Sequence, residues 1–365
     1  MKDLTQGNEG KLIFYFALPM LIGNIFQQLY NTVDSIIVGN TLGKEALAAV
    51  GASFPIIFLL VSLIMGIAMG STILIAQFFG AGKLDEVKKT IDTTYIFIFF
   101  SALAATIIGF ATSGPILKLL RTPDEVFPMA KTYLDIIFAG IIVMFGFNSI
   151  SAILRGLGDS KTPLYFLIIS TLVNIGLDLL FIKVFNWGVA GAAWATVIAQ
   201  GVSFLLGAIY LHKTHEFFSF NFNKMAFERQ LFITSIKIGL PAGVQQMLVA
   251  TGMMALSRIV NGFGTNAVAA YTAAGRLDSF ASMPAMNLSD ALSSFVGQNL
   301  GANKPERVKN GYLATLGMAT LISVVITITV TLFGRELISL FNTDPHVIQI
   351  GTSYLIIVGS FYLVF

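Results

Sequence analysis

Two aspartates stand inside long apolar stretches of this 365-residue sequence. Asp34 lies near the end of the first stretch, and Asp178 lies deep in the fifth. Asn174 precedes Asp178 by four residues and Tyr30 precedes Asp34 by four, so each pair shares one face of its helix. Ionisable side chains are costly within a membrane helix, which makes both aspartates candidates for a functional role.

The chemistry that these residues predict is reversible binding of a cation. Two carboxylates that meet in a water-poor bundle are disfavoured as a charged pair, and a proton, a Na⁺ ion or a cationic cargo molecule would relieve that repulsion. Such a site can couple ion movement to cargo movement. The alternative is that the residues only join helices by hydrogen bonds. We favour that alternative for a lone Asn or Gln, but not for two aspartates with an Asn one turn away.

The overall composition places these residues in a membrane protein. Hydrophobic residues make up 55% of the chain and charged residues 11%, against about 25% charged residues in an average soluble domain. The mean hydropathy is +0.80. The net charge of +3 is small, and the basic residues lie in short loops and not in one patch, so no nucleic-acid partner is expected. The absence of cysteine excludes disulfides and thiolate metal sites, and no phosphate-binding loop motif for ATP hydrolysis occurs.

Hydropathy predicts the elements that position the aspartates. A membrane-spanning helix needs about 20 mostly apolar residues, and the sequence contains ten such stretches. They cover residues 12–37, 46–79, 90–112, 128–153, 163–184, 187–211, 232–260, 267–297, 311–333 and 346–365. The sequence therefore predicts an all-α integral membrane protein. Lys and Arg are roughly twice as frequent in the loops on the side of the N-terminus, which predicts a multi-pass protein of the cell membrane with a cytoplasmic N-terminus.

The chain contains an internal repeat, because identical residues coincide when the sequence is compared with itself at a shift of 221 residues. They include Gly80 with Gly301, Lys83 with Lys304 and, at a shift of 222, Pro19 with Pro241. Each unit holds six predicted helices, so the second unit enters the membrane in the orientation of the first. This arrangement is a parallel repeat about an axis along the membrane normal, which is typical of transporters whose two halves move against each other.

The repeat also predicts the domain boundaries. We expect an N-lobe at 1–215 with helices 1–6, a cytoplasmic linker at 216–230, and a C-lobe at 231–365. Residue 365 corresponds to residue 144, midway along the fourth helix of the first unit. We therefore expect about ten of twelve transmembrane helices here, with the second six-helix bundle truncated.

The two units differ in their polar residues. No acid in the second unit matches Asp34, and its first helix offers Gln245 and Gln246 as polar candidates for binding cargo. Met253 would suit a promiscuous apolar pocket. This asymmetry predicts that the first unit handles the ion. Pro19 removes a backbone hydrogen bond from helix 1, and we interpret it as a candidate hinge, the alternative being a static kink.

The chain resembles the multidrug and toxic compound extrusion (MATE) family, in its prokaryotic DinF-like and MepA-like branch. The resemblance rests on LPMLIGNIFQQLYNTVDSIIVG in helix 1, the paired GAGK and GANK turns, RGLGDSKTP after helix 4 and NIGLDLLFI in helix 5. It implies a V-shaped pair of six-helix lobes. It also implies a cation site, with Na⁺ as one candidate ion, at Asp34, Asn174, Asp178 and Thr196. The cargo contacts that it implies fall on Gln27, Tyr30, Asn31 and Asn148.

The resulting prediction is a secondary active antiporter that exports organic cations or amphiphilic drugs in exchange for H⁺ or Na⁺. The alternative is a flippase of lipid-linked oligosaccharides with a related fold, which would need a cationic cleft for phosphates, whereas the clearest buried charges here are aspartates. We find no nucleophile or acid-base set that predicts an enzyme. No cofactor is expected beyond the coupling ion. The expected partners are small organic cations or drugs and the lipid bilayer, and the oligomeric state is not predicted.

Overall fold

The computed structural model describes residues 3–120, 122–214, 225–341 and 344–362. Within those ranges the chain forms eleven α-helices and one π-helical segment, and no strand. The α-helices are α1 Glu9–Leu42, α2 Lys44–Gly80, α3 Leu84–Leu119, α4 Phe127–Ala139, α5 Ile141–Gly156, α6 Lys161–Asp178, α7 Gly188–Thr214, α8 Arg229–Asn261, α9 Thr265–Gly301, α10 Pro305–Ser339 and α11 Pro345–Ser360. The π-helical segment is Leu179–Val184.

These elements correspond to the ten predicted spans. The fourth span is broken at Gly140 into α4 and α5, which meet at 53°. The fifth consists of α6 and the π-helical segment. By length and hydropathy alone, five helices in the described residues could cross a membrane, or six when the bent pair is counted as one. The predicted linker at 216–230 lies outside the described residues over 216–224.

Backbone conformation repeats with the same offset as the sequence. Gly43 before α2 has φ +91°, and Gly264 before α9 has φ +89°. Gly82 after α2 has φ +70°, and Asn303 after α9 has φ +56°. Left-handed φ values favour Gly, with Asn as the usual substitute. Two matched turns at positions 221 apart confirm that α1–α7 and the described part of α8–α11 are two copies of one design.

A threonine contact near the end of α4 recurs near the end of α11. The Thr106 hydroxyl of α3 donates a 2.8 Å hydrogen bond to the Phe138 carbonyl of α4. The Thr327 hydroxyl of α10 donates a 2.8 Å hydrogen bond to the Gly359 carbonyl of α11. Carbonyls at the end of a helix lack some of their usual donors, so a threonine on the preceding helix supplies a donor in each lobe.

The lobes, α1–α7 and α8–α11, meet through glycines. Gly66 and Gly70 of α2 face the backbone of Gly239 and Gly243 in α8 so closely that a Cβ atom would overlap it. Small residues permit this close approach of membrane helices. Because Gly70 lies ten residues before the end of α2 and Gly239 ten residues after the start of α8, the contact lies in the half of the bundle that holds the N-terminus.

An N-terminal strap, which we define as residues 3–8, closes the same end of the interface. Leu4 is fully buried, and its N–H donates to Gln298 Oε1 of α9 at 3.0 Å. Gln298 Nε2 in turn donates to the Gly156 carbonyl of α5 at 3.2 Å. Arg307 of α10 donates to the Gly7 carbonyl at 2.8 Å. Gln298 therefore joins the strap, the N-lobe and the C-lobe.

Candidate cation-coupling site

Three helices of the N-lobe bring the predicted coupling residues together. Asp34 comes from α1, Asn174 and Asp178 from α6, and Thr196 from α7. Asn174 and Asp178 are fully buried, and Asp34 and Thr196 are 7% and 8% exposed. Because helical spacing places Asn174 one turn from Asp178, both side chains point toward the face of α6 that packs on α1 and α7.

The two aspartates form the centre of the site. The side chains of Asp34 and Asp178 lie within hydrogen-bonding reach of each other. Two ionised carboxylates cannot donate, so a bond between them requires one proton. In the described part of the chain, no Lys or Arg forms an ion pair with either of them. The site thus concentrates negative charge away from water and has no fixed counter-charge.

When both carboxylates are ionised, several polar atoms of this site have no hydrogen-bond partner among the described residues. They are Asp34 Oδ1, both Asp178 carboxylate oxygens, and Asn174 Oδ1 and Nδ2. Buried polar groups are normally paired, and each unpaired one costs about 1–3 kcal/mol. Four unpaired oxygens side by side make a set of ligands that suits a proton or a hard cation such as Na⁺, which is the chemistry that the residue types predict.

A tyrosine of α1 ties this site to α7. Tyr30 and Thr196 share a hydrogen bond of 3.1 Å between their hydroxyl groups. Tyr30 lies one turn before Asp34 on the same face of α1. The orientation of α1 beside the aspartates is therefore held by a polar contact as well as by packing.

Tyr133 of α4 also belongs to the site, and the sequence reasoning missed this role. It is 8% exposed, and its hydroxyl lies within hydrogen-bonding reach of Thr196 and close to Asp34. The only signal in the sequence is that Tyr133 recurs as Tyr354 in the second unit. That recurrence marks a shared structural position, but it does not indicate which side chains surround it.

The π-helical segment begins directly after Asp178. π-Helical turns are rare and occur frequently at functional sites. The segment leads to Trp187, whose ring stacks on Phe181 with centroids 4.7 Å apart, so an aromatic cluster anchors the end of the span that carries Asn174 and Asp178.

The cargo candidates in the N-lobe fall into two places. Gln27 and Asn31 are exposed on the part of α1 that carries Tyr30, and Asn31 donates to Gln28 at 3.4 Å. Asn148 of α5 instead donates to the Met144 carbonyl of its own helix at 2.8 Å. It lines a small cavity together with Met65, Ala68, Ile98, Phe145 and Ser149.

The remaining candidates lie away from the aspartates in the chain. Gln245, Gln246 and Met253 are exposed on α8, and Met253 is 59% exposed. None of their described contacts is with Asp34, Asn174, Asp178 or Thr196. Pro19 is buried within α1, which runs as one helix from Glu9 to Leu42.

Comparison with known proteins identifies the family of the chain. The MatE family profile matches residues 19–180 and 241–365. The probable multidrug resistance protein YpnP of Bacillus subtilis is 39% identical to the chain, in an alignment that covers 99% of the chain and 80% of YpnP. The probable multidrug resistance protein YoeA of the same organism is 35% identical, in an alignment that covers 96% of the chain and 77% of YoeA. A solved outward-facing multidrug resistance MATE transporter of the MOP superfamily superposes with a TM-score of 0.91 at 26% identity, over 99% of this chain and 81% of that one. The chain belongs to the MatE family of multi-spanning membrane transporters.

Proposed function

We propose that this protein is a secondary active multidrug efflux transporter, an antiporter that exports organic cations or amphiphilic drugs in exchange for H⁺ or Na⁺. The observation that carries the proposal is the pair Asp34 and Asp178, buried in one lobe, within hydrogen-bonding reach and without a basic partner among the described residues. Keeping two like charges in a low-dielectric site costs several kcal/mol per ion. Binding of a cation offsets this cost, so the charges favour cation binding. The names of YpnP and YoeA support drugs as the cargo.

The coupling residues have distinct roles in this proposal. Asp34 and Asp178 bind the ion, Asn174 supplies an amide oxygen, and Thr196 supplies a hydroxyl. A bound proton lets one carboxyl donate to the other, whereas Na⁺ takes these oxygens as ligands. Either ion removes the repulsion between α1 and α6, and the release of that repulsion changes how α1 packs.

Helix α1 transmits this change toward the other end of the bundle. Pro19 lies 15 residues before Asp34, about 22 Å along the helix. The backbone hydrogen bond that is missing at Pro19 lowers the energy needed to bend the helix there. We propose that α1 bends there as the ion binds. The cargo site adjoins the moving part of α1 at Gln27, Tyr30 and Asn31, and Asn148, Gln245, Gln246 and Met253 contribute when the lobes rock.

The proposed orientation puts the strap and the glycine contacts on the cytoplasmic side. The excess of Lys and Arg in the loops on that side supports a cytoplasmic N-terminus in a cell membrane. The lobes at 1–215 and 231–365 then meet at their cytoplasmic ends, and the linker at 216–230 joins them on the same side. Cargo is released to the outside from this arrangement.

Transport in proteoliposomes tests the proposal. The protein is reconstituted, and ethidium uptake into or release from vesicles is measured under an imposed H⁺ gradient and, separately, an imposed Na⁺ gradient. One of the gradients should drive ethidium movement, and Asp34→Asn should reduce the driven rate by about tenfold or more, because one of the two ionisable ligands is gone.

Asp135→Asn is the matched control. Asp135 is an N-lobe acid that forms a 2.7 Å ion pair with Lys131 and is partly exposed, so its loss should leave the driven rate unchanged. Equal rates for wild type and Asp34→Asn under both gradients would contradict the coupling role. Movement of a phosphate-bearing lipid-linked sugar in place of ethidium would support the flippase instead.

A further inference from the structure

The C-lobe holds an acid–tyrosine cluster that the proposed coupling site does not use. The Tyr362 hydroxyl donates to Asp278 Oδ1 of α9 at 2.7 Å. Asp278 lies 13 residues from the start of α9, about 20 Å along the helix. Within the described residues no Lys or Arg forms an ion pair with Asp278. A carboxyl group at membrane depth without a basic partner is a functional candidate.

The repeat shows that this acid is not required by the fold. Shifting Asp278 and Tyr362 back by 221 residues gives Ile57 and Ile141. Both isoleucines belong to one apolar cluster beside the break between α4 and α5, and Ile141 is fully buried. Where the N-lobe has two members of an apolar cluster, the C-lobe has an acid that accepts a hydrogen bond from a phenol.

Two further tyrosines surround the acid. Tyr271 lies two turns before Asp278 on α9, and its ring meets the Tyr354 ring of α11 edge to face, with centroids 5.6 Å apart at 85°. Tyr354 lies close enough to Asp278 for the two groups to interact electrostatically. Tyr354 is also the counterpart of Tyr133 in the N-lobe site. All four side chains are partly exposed.

We propose that Asp278, with Tyr271, Tyr354 and Tyr362, is a second site that binds the cationic group of the cargo. This inference rests on the proposed export of organic cations and assigns the cargo charge to the C-lobe, while Asp34 and Asp178 bind the coupling ion. This site has one carboxylate, whereas the Asp34 and Asp178 pair has two, and the larger acidic charge favours the pair as the place where the coupling ion binds. Aromatic faces beside one negative charge suit a delocalised or quaternary organic cation, which is attracted by the rings as well as by the acid.

Equilibrium binding tests the assignment without any ion gradient. Ethidium binding to the purified full-length chain in nanodiscs is followed by fluorescence polarisation, with tetraphenylphosphonium as a competitor. Asp278→Asn keeps an oxygen that can accept from Tyr362, so folding is maintained while the charge is removed. Ethidium and tetraphenylphosphonium should both bind about tenfold more weakly to this variant, and Asp278→Glu should restore the affinity.

The tyrosine variants separate the rings from the hydroxyl groups. Tyr354→Phe keeps the ring and should retain ethidium affinity, whereas Tyr354→Leu should lower it several-fold. The neutral dye N-phenyl-1-naphthylamine should bind equally to wild type and Asp278→Asn, and Asp135→Asn should match wild type with every probe. Unchanged ethidium affinity in Asp278→Asn, or an equal loss with the neutral dye, would overturn the site. Failure of ion-driven transport in the wild type would instead count against the antiport mechanism alone.

Discussion

Gly80 of α2 and Gly301 of α9 occupy equivalent positions in the two lobes, and each faces the backbone of the other's helix. Gly80 faces Gln298, and Gly301 faces Gln77, at distances that would make a Cβ overlap a carbonyl group. Gln77 and Gln298 are themselves equivalent in the repeat. The pseudo-two-fold axis therefore passes between the ends of α2 and α9, where glycine is needed for contact.

A larger residue at this crossing should separate the lobes on the side of the N-terminus. Gly80→Leu and Gly301→Leu each place a side chain against backbone that cannot move aside, and overpacking of this kind costs about 1–3 kcal/mol. Because the chain has no native cysteine, Asp85→Cys and Glu306→Cys, at equivalent exposed positions of the repeat, accept spin labels cleanly. We expect double electron–electron resonance to show a longer or broader distance distribution in both variants.

Gly317→Leu is the control for that experiment. Gly317 lies in α10 with nothing near enough to contact a Cβ, so this variant should keep the wild-type distance distribution. A wild-type distribution in Gly80→Leu and Gly301→Leu as well would show that the glycine crossing does not hold the lobes together.

The strap should contribute to the same closed contact. Gln298→Ala removes the acceptor of the Leu4 N–H and the donor to the Gly156 carbonyl. Each buried backbone group left unpaired costs about 1–3 kcal/mol. The labels at positions 85 and 306 should report a larger open population, whereas Gln6→Ala, at an exposed position of the strap, should not. Identical distributions for Gln298→Ala and wild type would remove Gln298 from the closing contact.

Docking of the strap should weaken in acid. Burial raises the pKa of the Asp3 carboxyl, but its hydrogen bonds with Thr5 and the positive charges of Lys304 and Arg307 outweigh that effect, and the pKa is lowered. A lowered pKa in the docked state stabilises docking above the ordinary pKa of Asp, and this stabilisation is lost as the pH falls through the lowered value. A spin label at Gln6→Cys should become more mobile over that range, and Asp3→Asn should abolish the pH dependence. A pH-independent label in the wild type would contradict this role.

The sequence predicted those structural features that depend on residues close to each other in the same helix. The ten helical stretches, the offset of 221 and the face shared by Asn174 and Asp178 follow from hydropathy and helical spacing, and the structure has them. The break at Gly140 and the π-helical segment were missed, because hydropathy averaged over a window does not detect a local change in backbone hydrogen bonding. Tyr133 was missed because spacing along a chain reports nothing about contacts between helices.

The bond between Tyr30 and Thr196 should matter for the coupling ion. Tyr30→Phe keeps the ring and removes the hydroxyl, so the contact between α1 and α7 loses about 1 kcal/mol. In proteoliposomes we expect the apparent affinity for the driving ion to change about threefold to tenfold with little loss of protein. Tyr312→Phe, at a 55% exposed position of α10, should behave as wild type. An unchanged ion dependence in Tyr30→Phe would show that the hydroxyl contact is dispensable.

The duplicated threonines give the two helix ends separable roles. Thr106→Val and Thr327→Val keep the shape of the side chain and remove a 2.8 Å hydrogen bond to the Phe138 or Gly359 carbonyl, at a cost of about 1 kcal/mol. The first contact lies on the helix that carries Tyr133, and the second lies three residues before Tyr362. Thr106→Val should therefore alter the dependence of transport on the driving ion, and Thr327→Val should weaken ethidium binding. Thr272→Val is the control, since its hydroxyl donates to the Val268 carbonyl of its own helix. Equal effects of both variants on both measurements would mean that the threonine contacts serve the fold in general and not two distinct sites.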